Sequence, residues 1–139
     1  MDDPWSLVSK RANIKHIEIN VSNFDRSKAF YHDFLSWLGY KQIVGGKDFA
    51  GWGNGEAEIF VTYLERYKDS GFHRGHVGLN HIAFQAKSKA DVDRLHSEFL
   101  VPRNIKVLYG GPKEYPEYRK GYYAVYFEDP DRIKLEFVH

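Results

Sequence analysis

The sequence predicts an α+β fold built from two β-α-β-β-β modules, and two observations support that prediction. The first is a stretch at residues 14–21, where apolar and polar residues alternate as in a half-buried β-strand. The second is a similar stretch at residues 80–86, where a histidine recurs with the same flanking pattern. Two copies of one unit imply pseudo-twofold packing, with two curved mixed sheets around a shared cavity.

Residues 1–13 have no clear period and are expected to form an N-terminal extension that packs on the domain through Trp5 and Leu7. The first module is predicted over residues 14–64. A stripe of apolar residues at helical spacing predicts its helix over residues 26–38. Alternating or apolar runs between glycine-rich turns predict its later strands at residues 40–44, 49–52 and 58–63.

A polar, glycine-bearing linker is predicted over residues 65–78, and the second module over residues 79–139. Ser88 begins a sequence that resembles a capping box, so the second helix is predicted to start there and to stop before Pro102. Residues 110–121 are predicted to form a long loop. The strands of this module are predicted at residues 81–86, 105–109, 122–127 and 133–138.

The composition indicates a globular protein of one domain, and the charge favours one that binds small molecules or other proteins. The chain has 139 residues, a formal net charge of +1 and an aromatic share of 17%. This net charge gives no indication of a basic surface that would bind nucleic acid or an anionic membrane. The absence of cysteine excludes thiolate metal sites and cysteine nucleophiles. No apolar run approaches the roughly 20 residues of a membrane span, and the N-terminus lacks a signal-peptide layout, so a cytoplasmic location is expected.

Alternation along the strands predicts which side chains share the face opposite each helix. In the first, fifth and last strands that face includes His16, His81 and Glu136, which are therefore predicted to point at one space. Two imidazoles and one carboxylate suit a divalent ion and leave positions open for water or substrate. The alternative is that both histidines are hydrogen-bonded strand residues in a polar cleft.

The doubled plan, the strand histidines and the sequence of residues 126–136, YFEDPDRIKLE, resemble the vicinal oxygen chelate superfamily. That superfamily includes glyoxalase I, extradiol dioxygenases, fosfomycin-resistance enzymes and bleomycin-resistance proteins. The resemblance covers residues 14–139 and implies a divalent metal on His16, His81 and Glu136. Many relatives have glycine where Arg132 follows the Asp-Pro-Asp turn, so a positive φ at Arg132 would be strained.

Departures from the family pattern bear on the activity. Phe60 stands where the resemblance implies the further metal-ligand glutamate of glyoxalase I, although Glu58 on the same face could act as a base. Tyr126 matches a dioxygenase tyrosine, but the second-shell histidine positions of those enzymes fall near Arg66 and Glu117. A phosphonate site would need cations, for which Arg119, Lys120 and Lys134 are the candidates.

The sequence therefore predicts a homodimeric, divalent-metal-dependent enzyme, of a lyase, isomerase or dioxygenase type, acting on a small oxygenated substrate. The ion would be Zn, Ni, Mn, Fe or Co, and it would stabilise a developing oxyanion. The candidates for proton transfer are Glu58, Tyr126 and Glu18. The predicted substrate contacts are Trp52, Phe60, Tyr122 and Arg119. The alternative function is a binding protein of the bleomycin-resistance type that sequesters a planar aromatic drug or metabolite.

Overall fold

The computed structural model describes residues 3–139, which form two β-α-β-β-β modules in the predicted order. The α+β fold class is confirmed. The elements of the first module are β1 His16–Val21, α1 Phe24–Leu38, β2 Lys41–Gly45, β3 Phe49–Gly53 and β4 Glu58–Tyr63, followed by a 3-10 turn at Glu65–Tyr67. Those of the second are β5 His81–Gln85, α2 Lys89–Arg94, a π-helical segment Leu95–Leu100, β6 Val107–Glu114, β7 Tyr123–Glu128 and β8 Lys134–Val138.

Each module contributes one four-stranded mixed sheet. The strand orders are β1-β4-β3-β2 in sheet A and β5-β8-β7-β6 in sheet B. The outer pairs β1–β4 and β5–β8 are parallel, and the other pairs are antiparallel. The two sheets have the same design and are not closed on one another, so β1 and β5 are each an edge strand.

Side-chain caps explain where both helices begin. Asn23 Oδ1 accepts a hydrogen bond from the Arg26 N–H at 3.0 Å, which satisfies one of the free donors of the first turn of α1. Ser88 Oγ accepts from the Asp91 N–H at 3.1 Å, as the capping sequence predicts. The second helix then widens into its π-helical segment before Pro102.

The core lies between the two sheets, and α1 fills its centre. Phe34 is fully buried, and its ring centroid lies 5.4 Å from that of Phe84 and 5.2 Å from that of Phe127. Trp37, one turn further along α1, contacts Phe137 at 6.1 Å between ring centroids. Both sheets therefore turn their helix-side faces to one core. Among residues 3–139, no hydrogen bond, ion pair or ring contact joins the opposite, open faces of the two sheets.

Two predictions about irregular segments are wrong. Strand β6 continues to Glu114 across a bulge, where Tyr109 adopts a φ of 59° and Gly110 one of 90°, so part of the predicted loop at residues 110–121 is strand. The N-terminal extension does not pack through Trp5 and Leu7, which are 69% and 98% exposed. The Val8 N–H bonds to the carbonyl oxygen of Trp5, so this segment satisfies its backbone locally.

The turn between β7 and β8 joins the second module to the first. The Tyr31 hydroxyl of α1 donates to Asp129 Oδ2 at 2.6 Å, and Asp129 Oδ1 accepts from the N–H groups of Asp131 and Ile133 at 2.8 Å. Burial raises the pKa of Asp129 to about 6. Arg132, which follows this turn, adopts a positive φ of 67°.

Candidate functional site

The open face of sheet B holds two of the predicted metal ligands side by side. His81 on β5 places Nε2 at 3.0 Å from Oε1 of Glu136 on the neighbouring strand β8. The other ring nitrogen, Nδ1, lies 2.7 Å from the side-chain oxygen of Asn80. Glu136 is only 1% exposed. A buried carboxylate therefore faces an imidazole that lies between two oxygen atoms.

This arrangement fits the chemistry of a cation site. An amide oxygen only accepts hydrogen bonds, so the Nδ1 of His81 donates to Asn80. The other nitrogen, Nε2, faces a second acceptor, Oε1 of Glu136. A second proton or a metal ion must lie between them for the contact to be favourable, and metal-bound histidines commonly have their other nitrogen held by an oxygen in this way.

Two tyrosines flank the carboxylate. The Tyr122 hydroxyl donates to Oε2 of Glu136, and Tyr126 stands directly opposite Glu136 in the β7–β8 register. Burial and the neighbouring carboxylate raise the pKa of Tyr122 to about 12 and also raise the pKa of Tyr126. Both phenols therefore stay neutral near pH 7 and can donate hydrogen bonds, but neither is a base.

The third predicted ligand, His16, lies on the open face of sheet A. It is exposed and packs edge-on against Phe60 at 5.2 Å between ring centroids. Glu58 is its register partner on β4 and pairs with Lys15 at 3.4 Å. Over residues 3–139, no three histidine, aspartate or glutamate side chains come close enough to hold a metal ion. The structure thus brings His81 and Glu136 together and places His16 apart from them.

Two of the predicted substrate contacts have very different surroundings. Trp52 is fully buried on the helix side of sheet A, where its indole N–H donates to Nδ1 of His32 on α1 at 3.1 Å. It is not accessible to a ligand on the open face. Arg119 lies beside the carboxylate site, with its guanidinium carbon 5.1 Å from the ring centroid of Tyr122.

Sequence analysis missed most of an aromatic cluster around Tyr126. Its ring centroid lies 5.3 Å from that of Tyr109, 5.4 Å from that of Tyr115 and 6.1 Å from that of His81. Tyr118 joins through Tyr122 at 5.2 Å. The signal was present, because six of the ten tyrosines fall between residues 109 and 126. The tyrosine cluster consists of Tyr109, Tyr115, Tyr118, Tyr122 and Tyr126.

No helix in the part of the chain described, residues 3–139, is long and apolar enough to cross a membrane.

Comparison with known proteins places this architecture in a family. Residues 13–137 match the sequence model of the Glyoxalase/Bleomycin resistance protein/Dioxygenase superfamily. The chain is 38% identical over 124 residues to the uncharacterised protein YqjT of Bacillus subtilis (strain 168), covering 88% of this chain and 95% of that protein.

Solved structures agree with that match. A crystal structure of a candidate glyoxalase from Bacillus halodurans is 33% identical, with a TM-score of 0.80 and coverage of 92% of this chain and 96% of that one. A lactoylglutathione lyase from Agrobacterium tumefaciens shares 20% identity with a TM-score of 0.68, over 94% and 95% of the two chains, which indicates the fold alone.

Proposed function

The chain belongs to the Glyoxalase/Bleomycin resistance protein/Dioxygenase superfamily, and from that premise we propose that it is a divalent-metal-dependent enzyme acting on a small oxygenated substrate. The observation that supports this most directly is the His81 ring, which lies between the Asn80 oxygen and the buried Glu136 carboxylate. A neutral imidazole in that position is arranged to donate its Nε2 lone pair to a cation. The donor set suits Zn, Ni, Mn, Fe or Co.

A second copy of the chain would supply the third ligand, His16. Within residues 3–139, the exposed imidazole of His16 on sheet A has no bonded carboxylate, whereas the imidazole of His81 on sheet B is bonded to Glu136. Because the helix-side faces meet inside one chain, the two open faces are left for a neighbour. A twofold dimer would pair them twice and so form two equal composite sites. Within this proposal the enzyme is a cytoplasmic homodimer.

The bound ion would supply a Lewis acid for a developing oxyanion on the substrate. The residues of the chain have separate tasks. Tyr122 holds the Glu136 carboxylate in place through its hydrogen bond. Tyr126, as a neutral buried phenol, can donate a hydrogen bond to a substrate oxygen. Glu58, the cross-strand neighbour of His16, can accept a proton, as a lyase or isomerase reaction requires. Phe60 shields one side of His16 from water.

Metal analysis of protein purified without chelator tests the proposal. We expect about one divalent ion per chain, and we expect H81A and H16A each to lose it, since two ligands hold such ions weakly. The matched control is H139A, which removes an exposed histidine outside the site. Less than about a tenth of an ion per chain, unchanged by H81A, would contradict metal dependence.

Mixing two inactive variants tests the shared site. H16A and H81A are each expected to bind no metal alone. After unfolding and refolding together, half of the dimers contain one chain of each kind and regain one intact site, about a quarter of an ion per chain. A site formed within one chain would give no recovery.

A metal-free binding protein that sequesters a planar aromatic compound is the second candidate. The tyrosine cluster favours it, because five aromatic rings surround the site. The same metal analysis separates the two functions. A protein without bound metal that still takes up aromatic compounds would be such a binder.

A further inference from the structure

We infer that the tyrosine cluster binds an aromatic anion, meaning a planar ring that carries a carboxylate or a comparable oxygen anion. This inference deepens the proposed function by naming the substrate class, and it rests on that function in placing the ligand beside His81 and Glu136. Three observations support it independently: accessible aromatic faces, a buried hydroxyl without a partner, and cations without counter-ions.

The outer rings of the cluster are open to a ligand. Tyr118 is 62% exposed and Tyr109 is 49% exposed, whereas Tyr115 and Tyr126 beneath them are buried. Tyr115 and Tyr118 already stack, with ring centroids 5.6 Å apart and planes inclined by 12°. An aromatic ring prefers offset-stacked or edge-on contact with its neighbours. The exposed tyrosines therefore extend an aromatic packing that another flat ring would continue.

A buried hydrogen-bond donor lies at the centre of the cluster. The Tyr115 hydroxyl is buried, and within residues 3–139 it has no hydrogen-bond partner. Buried polar groups in proteins are nearly always paired, and leaving one unpaired is destabilising. Burial raises the pKa of Tyr115, so the group keeps its proton and can donate it. An oxygen atom of a ligand would supply the missing acceptor once the exposed ring of Tyr118, which stacks on Tyr115, moves aside.

Three cations lie close to the rings, and the carboxylates whose charges reach Tyr115 are Glu136 and the exposed Glu117. Lys113 Nζ lies 5.3 Å from the centroid of Tyr115, and the Arg119 guanidinium carbon 5.1 Å from that of Tyr122. Lys134 Nζ lies 5.3 Å from the centroid of Tyr109 and 5.2 Å from that of Tyr126, and it donates a hydrogen bond to the Tyr109 hydroxyl at 3.2 Å.

None of these three cations forms an ion pair with a carboxylate in the described part of the chain. The buried carboxylate nearby, Glu136, is already bonded to His81 and Tyr122. A neutral ring would leave the cations without a counter-ion, and an anion without a ring would leave the tyrosine faces unused. A planar ring that carries an anionic group would pack against the tyrosine faces and also pair with the cations.

Three probes separate these requirements in isothermal titration of chelator-treated protein. The probes are 2-naphthoate, its neutral isostere 2-naphthamide, and the non-aromatic anion cyclohexanecarboxylate. We expect saturable binding of 2-naphthoate, at least about tenfold tighter than binding of either other probe. Equal affinity for naphthoate and naphthamide, or no saturable naphthoate binding, would overturn the inference.

Substitutions test whether 2-naphthoate binds at the tyrosine cluster. Y118A changes an exposed ring and is expected to weaken naphthoate binding about tenfold. K113M/R119M/K134M, which removes all three cations, is expected to abolish the preference for naphthoate over naphthamide. The control K106M alters an exposed lysine outside the cluster and should change neither quantity. If K113M/R119M/K134M keeps the preference intact, the anion is not recognised at this cluster and the inference fails.

The two proposals fail separately. Naphthoate binding by metal-free protein that takes up no metal would reject the enzyme and keep this inference. Metal uptake without naphthoate binding would reject the inference and keep the enzyme.

Discussion

The two modules have the same strand order, yet their open faces differ in what covers them. On sheet A, Phe60 on the central strand β4 is half-buried. On sheet B, Glu136 at the matching place on β8 is 1% exposed, and Tyr126 opposite it on β7 is 4% exposed. The difference follows from the connections: residues 46–48 join β2 to β3 and are too few to fold back, whereas residues 115–122 join β6 to β7. The longer connection between β6 and β7 thus covers the open face of sheet B, whereas the open face of sheet A stays uncovered.

Removing one open-face ring from each module should have unequal effects on stability. Tyr126 is buried, so Y126A should lower the free energy of unfolding by about 3 kcal/mol, typical of an aromatic-to-alanine change in a core. Phe60 is half-buried, and F60A should cost about 1 kcal/mol. Urea denaturation measures the two losses in unfolding free energy, provided that the m-value is the same in each variant. Equal losses would show that the covered face is no better packed than the open one.

The hairpin turns at the ends of the two sheets provide the next contrast. Asn54 Oδ1 accepts from the N–H groups of Glu56 and Ala57 at 2.9 Å, as Asp129 Oδ1 does in the second module, but Asn54 is exposed. The raised pKa of Asp129, about 6, means that the folded protein binds its proton more tightly than the unfolded chain.

Stability from this group is therefore greatest below about pH 4 and falls as the pH rises towards 6, by up to about 3 kcal/mol. D129N should remove this part of the pH dependence. N54D introduces a carboxylate at the exposed turn and should add no such dependence. Unfolding free energies between pH 4 and 7 measure both variants. A D129N profile with the same slope as the wild type would refute the assignment.

A single substitution should make the two open faces more alike. Phe60 and Glu136 occupy matching places, since each lies two residues after the register partner of its module's histidine. F60E would place a carboxylate beside His16. If the open faces of sheets A and B bind one divalent ion together, F60E should raise the affinity for that ion about tenfold or more. F60Q, which adds no charge, is the control. Competition with a chromogenic chelator measures the affinity. An unchanged value would show that residue 60 does not lie next to the bound ion.

Sequence alone identified the strands and the face of most side chains because the alternation is strict. Strand β4 has the predicted bounds, Glu58–Tyr63. Trp52 was misplaced because β3, Phe-Ala-Gly-Trp-Gly, has no polar residues and no regular alternation that would show which face is buried; Ala50 shares the buried face of Trp52. Alternation also does not reveal which sheet faces meet. That depends on α1, whose Phe34 contacts the second module.

The turns also differ in backbone strain, and this gives the smallest expected effects. The first turn places Gly55 at a φ of 92°, whereas the second places Arg132 at 67°. R132G should stabilise the protein by up to about 1 kcal/mol, because only glycine adopts positive φ without a steric penalty. The ion pair that this removes, Arg132 Nε to Glu128 at 3.6 Å, is worth little because Arg132 is exposed, and Glu128 keeps Arg74 at 2.6 Å.

The mirror experiment is G55A, since a Cβ at Gly55 would meet open space and add only backbone strain. It should destabilise by about 1 kcal/mol. R132K, which keeps both strain and charge, should leave the stability unchanged. Thermal unfolding of the three variants decides the point. A loss of stability in R132G would mean that the Arg132–Glu128 contact outweighs the strain of the turn, and that the second module favours arginine there for its charge.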